Sequence, residues 1–566
     1  MTFTVVQLST AFCGENLDKK NKERMDMRDF KRTFGLNGCT LGIYAWLGMC
    51  VSAHAFTIDT DNPDLAIRLD NTVRYNLGWR AESPDSSIYR NSLYDDSDRK
   101  FKKGDLVQNR VDLLTEFDLV YKQTTGFRLS TASWYDNAYK DHDVDTYSGS
   151  SLPSSYNNNR YSGYTSRYYN GPSGEVLDAF AFTRFNVGDI PVNVKVGRHT
   201  VFWGEGLLFP GHAISYSQGP IDGQKGAANP GSETKELFLP VGQVSSQAQI
   251  TDDFSLAAQY FYEWRPTRAP EGGTYLGVSD IGVEGPDRYP IAPGVSLPRL
   301  DSKTPSEVGN FGLAGRWQIN SWNSTLGLYY REFNDYNPAG LQIISGGYRF
   351  VYGVKTKLYG LSLAREVGSA SLGMDVSYRQ GTGLNTRVLG NDGQPARGDT
   401  IHLVTNSVWL LPSTRFYDTG NLVAEIAASH LQRVTHNADV FNGVGYADCD
   451  DNGRNKWDGC STRNWVGAAV NFTPQWLQVF PKVDIDLPTS LNYGIYGNAA
   501  AGGGNQGALT WSVGIKATYE QRHELTLRYS DQFAHSHDVD GVATSGNGNY
   551  SLNDRGWVSL TLKTGF

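Results

Sequence analysis

Apolar residues fall at every second position over long stretches of this chain. Between 65 and 79, Leu65, Ile67, Leu69, Val73, Tyr75, Leu77 and Trp79 share one parity, and Arg68, Asp70, Arg74, Asn76 and Arg80 share the other. The next segment repeats this, with Val111, Leu113, Phe117, Leu119 and Tyr121 set against Arg110, Asp112, Glu116, Asp118 and Lys122. A period of two belongs to a β-strand, whose side chains alternate between the two faces of a sheet. Each strand thus has one apolar and one charged face. Sustained along a chain in pieces of about ten residues, this dyad marks a transmembrane barrel with lipid outside and a wet lumen inside.

The connections support a barrel over a soluble sandwich. The alternation predicts strands at 65–80, 108–122, 124–138, 175–188, 190–203, 241–251, 253–265, 308–320 and 322–335. It continues at 354–366, 370–381, 398–411, 421–434, 463–474, 480–492, 507–520, 522–533 and 555–566. Connections alternate between long and short. Turns such as 122–125, 187–191, 251–253 and 520–523 suit a periplasmic end, and segments such as 139–174, 204–240 and 266–307 suit the exterior. The predicted fold is all-β: a transmembrane antiparallel β-barrel of about 18 strands, with 16 as the alternative, and with some of its long extracellular loops folded into the lumen.

Composition agrees. Of 566 residues, 12% are aromatic, with Tyr the commonest at 32, and there are 62 glycines, which favours strands and turns over helices. A polytopic helical protein needs several apolar runs of about 20 residues, and only one segment near the N-terminus approaches that. A net charge of -8 gives no basic footprint for nucleic acid.

Arg28, Lys31 and Arg32 precede an apolar stretch from Phe34 to Val51 and then Ser52-Ala53-His54-Ala55. Basic, apolar and small-residue regions in that order read as a secretory signal peptide over 25–55, cleaved after Ala55. Residues 1–24 form an unusual extension before it, which points to translation starting at Met25 or Met27. Residues 56–566 are then a single outer-membrane barrel domain of a Gram-negative bacterium. Met49 is too large for the small residue that precedes a lipidated cysteine, which argues against a lipoprotein reading of Cys50. Cleavage leaves Cys449 and Cys460, an even pair in an exported chain, expected to form a disulfide.

Asp448-Cys449-Asp450-Asp451-Asn452-Gly453 resembles the first half of a calcium loop, with hard oxygen donors at alternate positions. Gly459 stands where a bidentate Glu belongs, so Asp458 would have to complete a structural calcium site with Asp448, Asp450 and Asn452. His535, His537 and Asp538 offer a weaker transition-metal pattern. No other cofactor is expected. Nor is an enzyme: the chain has no G-x-S-x-G, H-E-x-x-H or P-loop pattern.

The run Gly197-Arg198-His199-Thr200-Val201-Phe202-Trp203-Gly204-Glu205 leaves the fifth predicted strand and opens a long loop. Arg198, Trp203 and Glu205 could anchor that loop inside the barrel as a constriction. Phase warns against Arg198, because Val194, Val196 and Arg198 share the lipid-facing parity unless a bulge near Gly197 intervenes. Together with Glu236–Pro240, Phe261–Arg268 (containing Trp264 and Arg265), Gly273-Thr274-Tyr275 and Lys357–Ser362, the run resembles the domain of unknown function 1302 family over the whole mature chain. The resemblance implies an outer-membrane barrel associated with export systems and hydrophobic compounds. His199 and Gly206 stand where the family more often has Gln and Ser.

The stretch 264–299 carries six prolines among Tyr275, Tyr289, Ile291 and Leu297, too apolar for a solvated loop and too proline-rich for strand or helix. It reads either as a plug in the barrel mouth or as a self-packed cap. The tyrosine-rich loop 156–169 reads either as a sugar-stacking surface or as ordinary loop packing.

The leading functional expectation is a channel or conduit for small hydrophobic or amphipathic molecules, working with a periplasmic or export partner. The second is a substrate-selective porin for hydrophilic solutes, its lumen lined by Arg68, Asp70, Arg74, Arg110, Asp112, Glu116 and Asp118. The third is a non-transport structural or docking component of an export assembly. Other expected partners are outer-membrane lipid, lipopolysaccharide, a small-molecule solute, and the barrel assembly machinery, which recognises a terminal aromatic such as Phe566. An 18-strand barrel is wide enough for an aqueous channel unless something fills it, so occupancy of the lumen separates these readings.

Overall fold

The computed structural model describes residues 56–144 and 152–566. Eighteen strands run in chain order. The first nine are Leu65–Arg80, Leu106–Tyr121, Thr125–Asp136, Ser173–Val187, Ile190–His199, Val241–Gln249, Phe254–Phe261, Phe311–Ile319 and Ser324–Asn334. The rest are Lys355–Val367, Ala370–Gly383, Arg397–Leu411, Thr419–His436, Asn464–Phe480, Val483–Asp486 continued by Thr489–Tyr496, Leu509–Tyr519, His523–Phe533 and Trp557–Gly565. The fifteenth is broken at Leu487-Pro488, where proline has no N–H for the ladder.

Each strand pairs antiparallel with the next, and the last returns to the first, Gly565 opposite Thr72 and Trp557 opposite Arg80. The sheet therefore closes on itself, so that every strand has a neighbour on each side. A short strand, Phe56–Ile58, pairs beyond the seam with Ile67–Leu69, and Phe566 exchanges two backbone hydrogen bonds with Asn71.

Alternation fixes what each face carries. Val111, Leu113, Val196, Leu313, Leu328, Ile426, Ile515 and Leu527 are exposed on the outside, whereas Arg74, Asn76, Asp375, Arg379 and Glu425 are buried inside. This inversion of a soluble protein is stable only with hydrocarbon around the wall. No helix among the described residues is long and apolar enough to cross a membrane; the strands do it. Tyr330, Tyr359 and Tyr378 stand side by side in neighbouring strands, where such rings form an interfacial girdle.

Long connections gather at one end and short turns at the other. Residues 137–144, 152–172 and 262–310 pack on each other: Tyr156, Tyr161, Tyr169 and Tyr275 are buried in one cluster with Phe101, Tyr139 and Trp557. The tyrosine-rich loop is thus packing material rather than an exposed sugar platform. The proline-rich stretch is mainly a cap on the long-loop end; it contains the hairpin Arg288–Ala292/Val295–Pro298, a local pairing that the sequence pattern did not predict. The expected extension 1–24 and signal segment 25–55, with Cys50, lie outside the described residues.

Candidate functional site: a loop clamped across the lumen

Residues 200–240, between the fifth and sixth strands, enter the barrel instead of capping it. Four inward-facing charged residues on the far wall hold the first half. Glu425 accepts the backbone N–H groups of Leu207, Leu208 and Phe209 at 2.6 to 2.8 Å. Asp375 accepts those of Glu205, Gly206 and Ile214 at 2.8 to 3.2 Å. Arg379 donates to the carbonyls of Gly211 and Ala213, and Arg331 to those of Ile214, Tyr216 and Ser217. Irregular backbone in a barrel must find partners for its polar groups. Here wall carboxylates take the N–H groups and wall guanidiniums the carbonyls.

Rings complete the contact. His212 stacks on Trp465 with ring centroids 4.3 Å apart. Its Nε2 lies 2.8 Å from the Gly503 carbonyl, and its Nδ1 lies 2.9 Å from Nδ1 of His402. A carbonyl can only accept, so Nε2 of His212 carries a proton; in the neutral ring Nδ1 then accepts from His402. A second proton on His212 would set two N–H groups head to head.

The second half of the loop returns to the opposite wall. Arg74 of the first strand forms a two-pronged pair with Glu236, at 2.8 and 3.1 Å, and also donates to the Gly231 carbonyl. Asn229 bonds Asn76 and Asp112. Lys235 pairs with Glu116 and Glu233, and Lys563 of the last strand pairs with Glu233. Strands from both sides of the barrel thus grip one loop.

Glu205 and Trp203 lie inside this arrangement. Trp203 is buried against Tyr329, its backbone N–H donating to Gln218, and a Cβ on Gly312 would come within 2.6 Å of its ring. Glu205 pairs with Arg316 of the eighth strand at 3.4 Å. Arg198 does not join them. The pairing of the fifth strand runs without a register shift through Gly197, so Arg198 stays on the outer face and pairs with Glu263. Gly197 itself has φ of +129°, and a Cβ there would meet the Ala179 carbonyl at 2.3 Å. The expected trio is therefore a pair, and the outward parity of Arg198 holds because no bulge turns it inward.

Trp264 is buried at the long-loop end, stacked on Tyr336, and Arg265 donates to the Pro240 carbonyl. Of the wall residues singled out in the sequence, Arg110 pairs with Asp112, Glu116 and Asp118 share Arg128, and Arg68 pairs with Asp70 beside the short turns. Apart from the Arg68–Asp70 pair, these charges are taken up within the wall or by the inserted loop. Asp375, Glu425, Arg331 and Arg379 were missed; their signal was a charge on the lumen parity of strands beyond the first two.

Cys449 and Cys460 are bonded, with Cα atoms 6.3 Å apart. The calcium pattern does not converge. Asp448 pairs with Arg454, Asp450 accepts from the Gly445 N–H, Asn452 donates to the Asp448 carbonyl, and Asp458 accepts from Asn455 and Ser545. Each of these groups already has a partner around the helical turn Ala447–Asp450 or, for Asp458, in the last long loop. His535 lies against Trp457, and among the described residues neither it nor His537 joins a cluster of three metal-binding side chains.

A family model described as "Protein of unknown function (DUF1302)" matches residues 38–566. The chain belongs to the DUF1302 family. No curated protein matches this DUF1302 member. Among solved structures it is similar to OpdK of Pseudomonas aeruginosa with vanillate (8% identity, 88% of this chain, 98% of that chain, TM-score 0.38). It is also similar to the outer-membrane channel DcaP of Acinetobacter baumannii (12% identity, 90% and 100% covered, TM-score 0.37). A third is OccD3 (OpdP) of Pseudomonas aeruginosa (12% identity, 91% and 94% covered, TM-score 0.39).

Proposed function

We propose that this protein is an outer-membrane conduit for small hydrophobic or amphipathic molecules, closed along its axis by the loop 200–240 and served by a periplasmic or export partner. The observation that carries the reading is the double-sided clamp on that loop. Four buried wall charges spent on holding backbone across the lumen favour a path that opens when that loop moves. The outward apolar band, and long loops at one end with short turns at the other, support an outer-membrane location with the long loops outside. Phe566, at the barrel seam, is the residue the assembly machinery would read, and lipopolysaccharide the expected neighbour of the outer wall.

One feature favours the second reading, a porin for hydrophilic solutes. A recess of about 300 Å³ runs beside the inserted loop, lined by Asp335, Asn337 and the glycine-rich segment 499–505. Single-channel conductance in a planar bilayer separates the two. The conduit reading expects no stable steps from the intact protein, and steps from a Glu425→Gln, Asp375→Asn double variant in which the clamp is loosened. Large steady steps from the intact protein would establish the porin reading instead.

A further inference from the structure

At the long-loop end of the wall the fourth strand outruns the fifth. The fifth strand ends at His199, and the fourth pairs with it only as far as Ala179, opposite Arg198. Among the described residues no strand pairs with the second edge of 173–178. A recess of about 740 Å³ lies there. Val176, Ser133 and Arg198 reach it from the outer face, and Glu175, Ala132 and Arg268 from the inner. Successive residues of a strand point to opposite faces of its sheet. Glu175 and Val176 can therefore line one recess only where it passes around the free edge, through the plane of the wall.

The lining is basic and aromatic. Arg167, Arg198, Arg265 and Arg268 face one carboxylate, Glu175. Arg198 is held by Glu263, and Arg268 by Glu175 and Asp222 at 2.6 to 3.0 Å. Arg265 has no carboxylate within ion-pair distance; one of its nitrogens donates to the Pro240 carbonyl, and its buried Nε has no partner. Tyr164 and Tyr168 supply ring surface.

Behind the recess stands a partition. The Arg268 guanidinium lies 4.4 Å over the Tyr168 ring, which stacks on Trp134. Trp134, Tyr168 and Asp222 also line a small lumenal cavity of about 40 Å³ with Lys225 and Trp557. The Arg268–Glu175–Asp222 group thus stands between the recess and that cavity.

We propose that this recess is a lateral portal for an amphipathic anion, one acidic head on an apolar chain or ring, passing between the lumen and the surrounding membrane. Arg265 receives the head, Tyr164, Tyr168 and Val176 receive the body, and Arg268 is the bolt. The proposal rests on the conduit reading and adds to it a route and a solute class.

The test uses the full mature protein in lipid nanodiscs and the fluorescent probe 11-dansylamino-undecanoate, with the matching uncharged alcohol as control. Saturable binding of the acid is expected, quenched when the lipids are replaced by brominated ones, because the portal borders lipid. Arg265→Met should weaken it at least about tenfold, as expected for loss of a charge-assisted contact, whereas Arg265→Lys retains most of it. The alcohol should bind weakly and be indifferent to the substitution. Heat-modifiable gel mobility checks that each variant is a closed barrel. Saturable binding that brominated lipid does not quench and Arg265→Met does not change would overturn the portal and leave the conduit standing. No saturable binding by the intact protein would overturn both the portal and the solute class.

Discussion

Arg74 and Glu236 lie 162 residues apart in the chain and meet as a two-pronged ion pair, each side chain 2% exposed. Two charges taken out of water are expensive, and removing Glu236 leaves buried Arg74 only the longer contact to Asp112 at 3.8 Å; loss of one partner costs about 3 to 5 kcal/mol in comparable buried pairs. Glu236→Gln should therefore release the second half of the loop more than the paired change Arg74→Met, Glu236→Leu, which leaves no orphaned charge. Limited proteolysis within 229–240 measures the release. Equal cleavage of the two variants would show that the pair does not hold the loop.

The clamp at the far wall fails differently. Glu425 takes three consecutive N–H groups, so Glu425→Ala strips partners from Leu207, Leu208 and Phe209 together. Each buried N–H left unsatisfied costs about 1 to 3 kcal/mol. Brief, noisy openings in bilayer recordings are expected, whereas Asn406→Ala, which removes one bond to the Glu205 carbonyl and a longer one to Glu425, should change less. Silent Glu425→Ala recordings would remove the clamp from the mechanism.

The strands were legible because two signals agree at every one: a period of two, and a turn or long loop at each end. The first ran from 65 to 80 as read, and most others differed by one to three residues. The fifth ended earlier, at His199 rather than 203, and the fourteenth ran on to Phe480. The inserted loop was not legible as a whole. Its hold depends on pairs such as Arg74 with Glu236 and Asp375 with Ile214, each more than 160 residues apart, and composition drew attention to the proline-rich stretch instead. Trp203 and Glu205 were found from local clustering. Arg198, in the same cluster, faces outward because parity outranks proximity in a strand.

The Cys449–Cys460 bond spans a separation of 11 residues. On the chain-entropy model closing such a loop gains about 3 kcal/mol. Reduction, or the paired change Cys449→Ser, Cys460→Ser, should raise hydrogen exchange in that loop and leave gel mobility and conductance as they were. A conductance change on reduction would mean that the loop reaches the pathway.

Glu271, in the cap, is buried and accepts the N–H groups of Val283, Glu284 and Gly285 at 2.7 to 3.1 Å. Burial pushes its carboxyl up to about 7 from the ordinary 4.5, and those three N–H groups only partly oppose the shift. The sign follows from which state holds the proton. Between pH 4.5 and 7 the folded cap keeps it while the unfolded segment has released it, so the stability of the cap falls as pH rises through that window. One pKa unit corresponds to about 1.4 kcal/mol, so the full window carries about 3 kcal/mol. Exchange protection of the Val283, Glu284 and Gly285 amides, corrected for intrinsic rates, should be greater at pH 5 than at pH 8. Glu271→Gln, neutral at both and still an acceptor, should flatten the difference. Protection that rises with pH in the unaltered protein would show that the carboxylate form is the one the cap is built around.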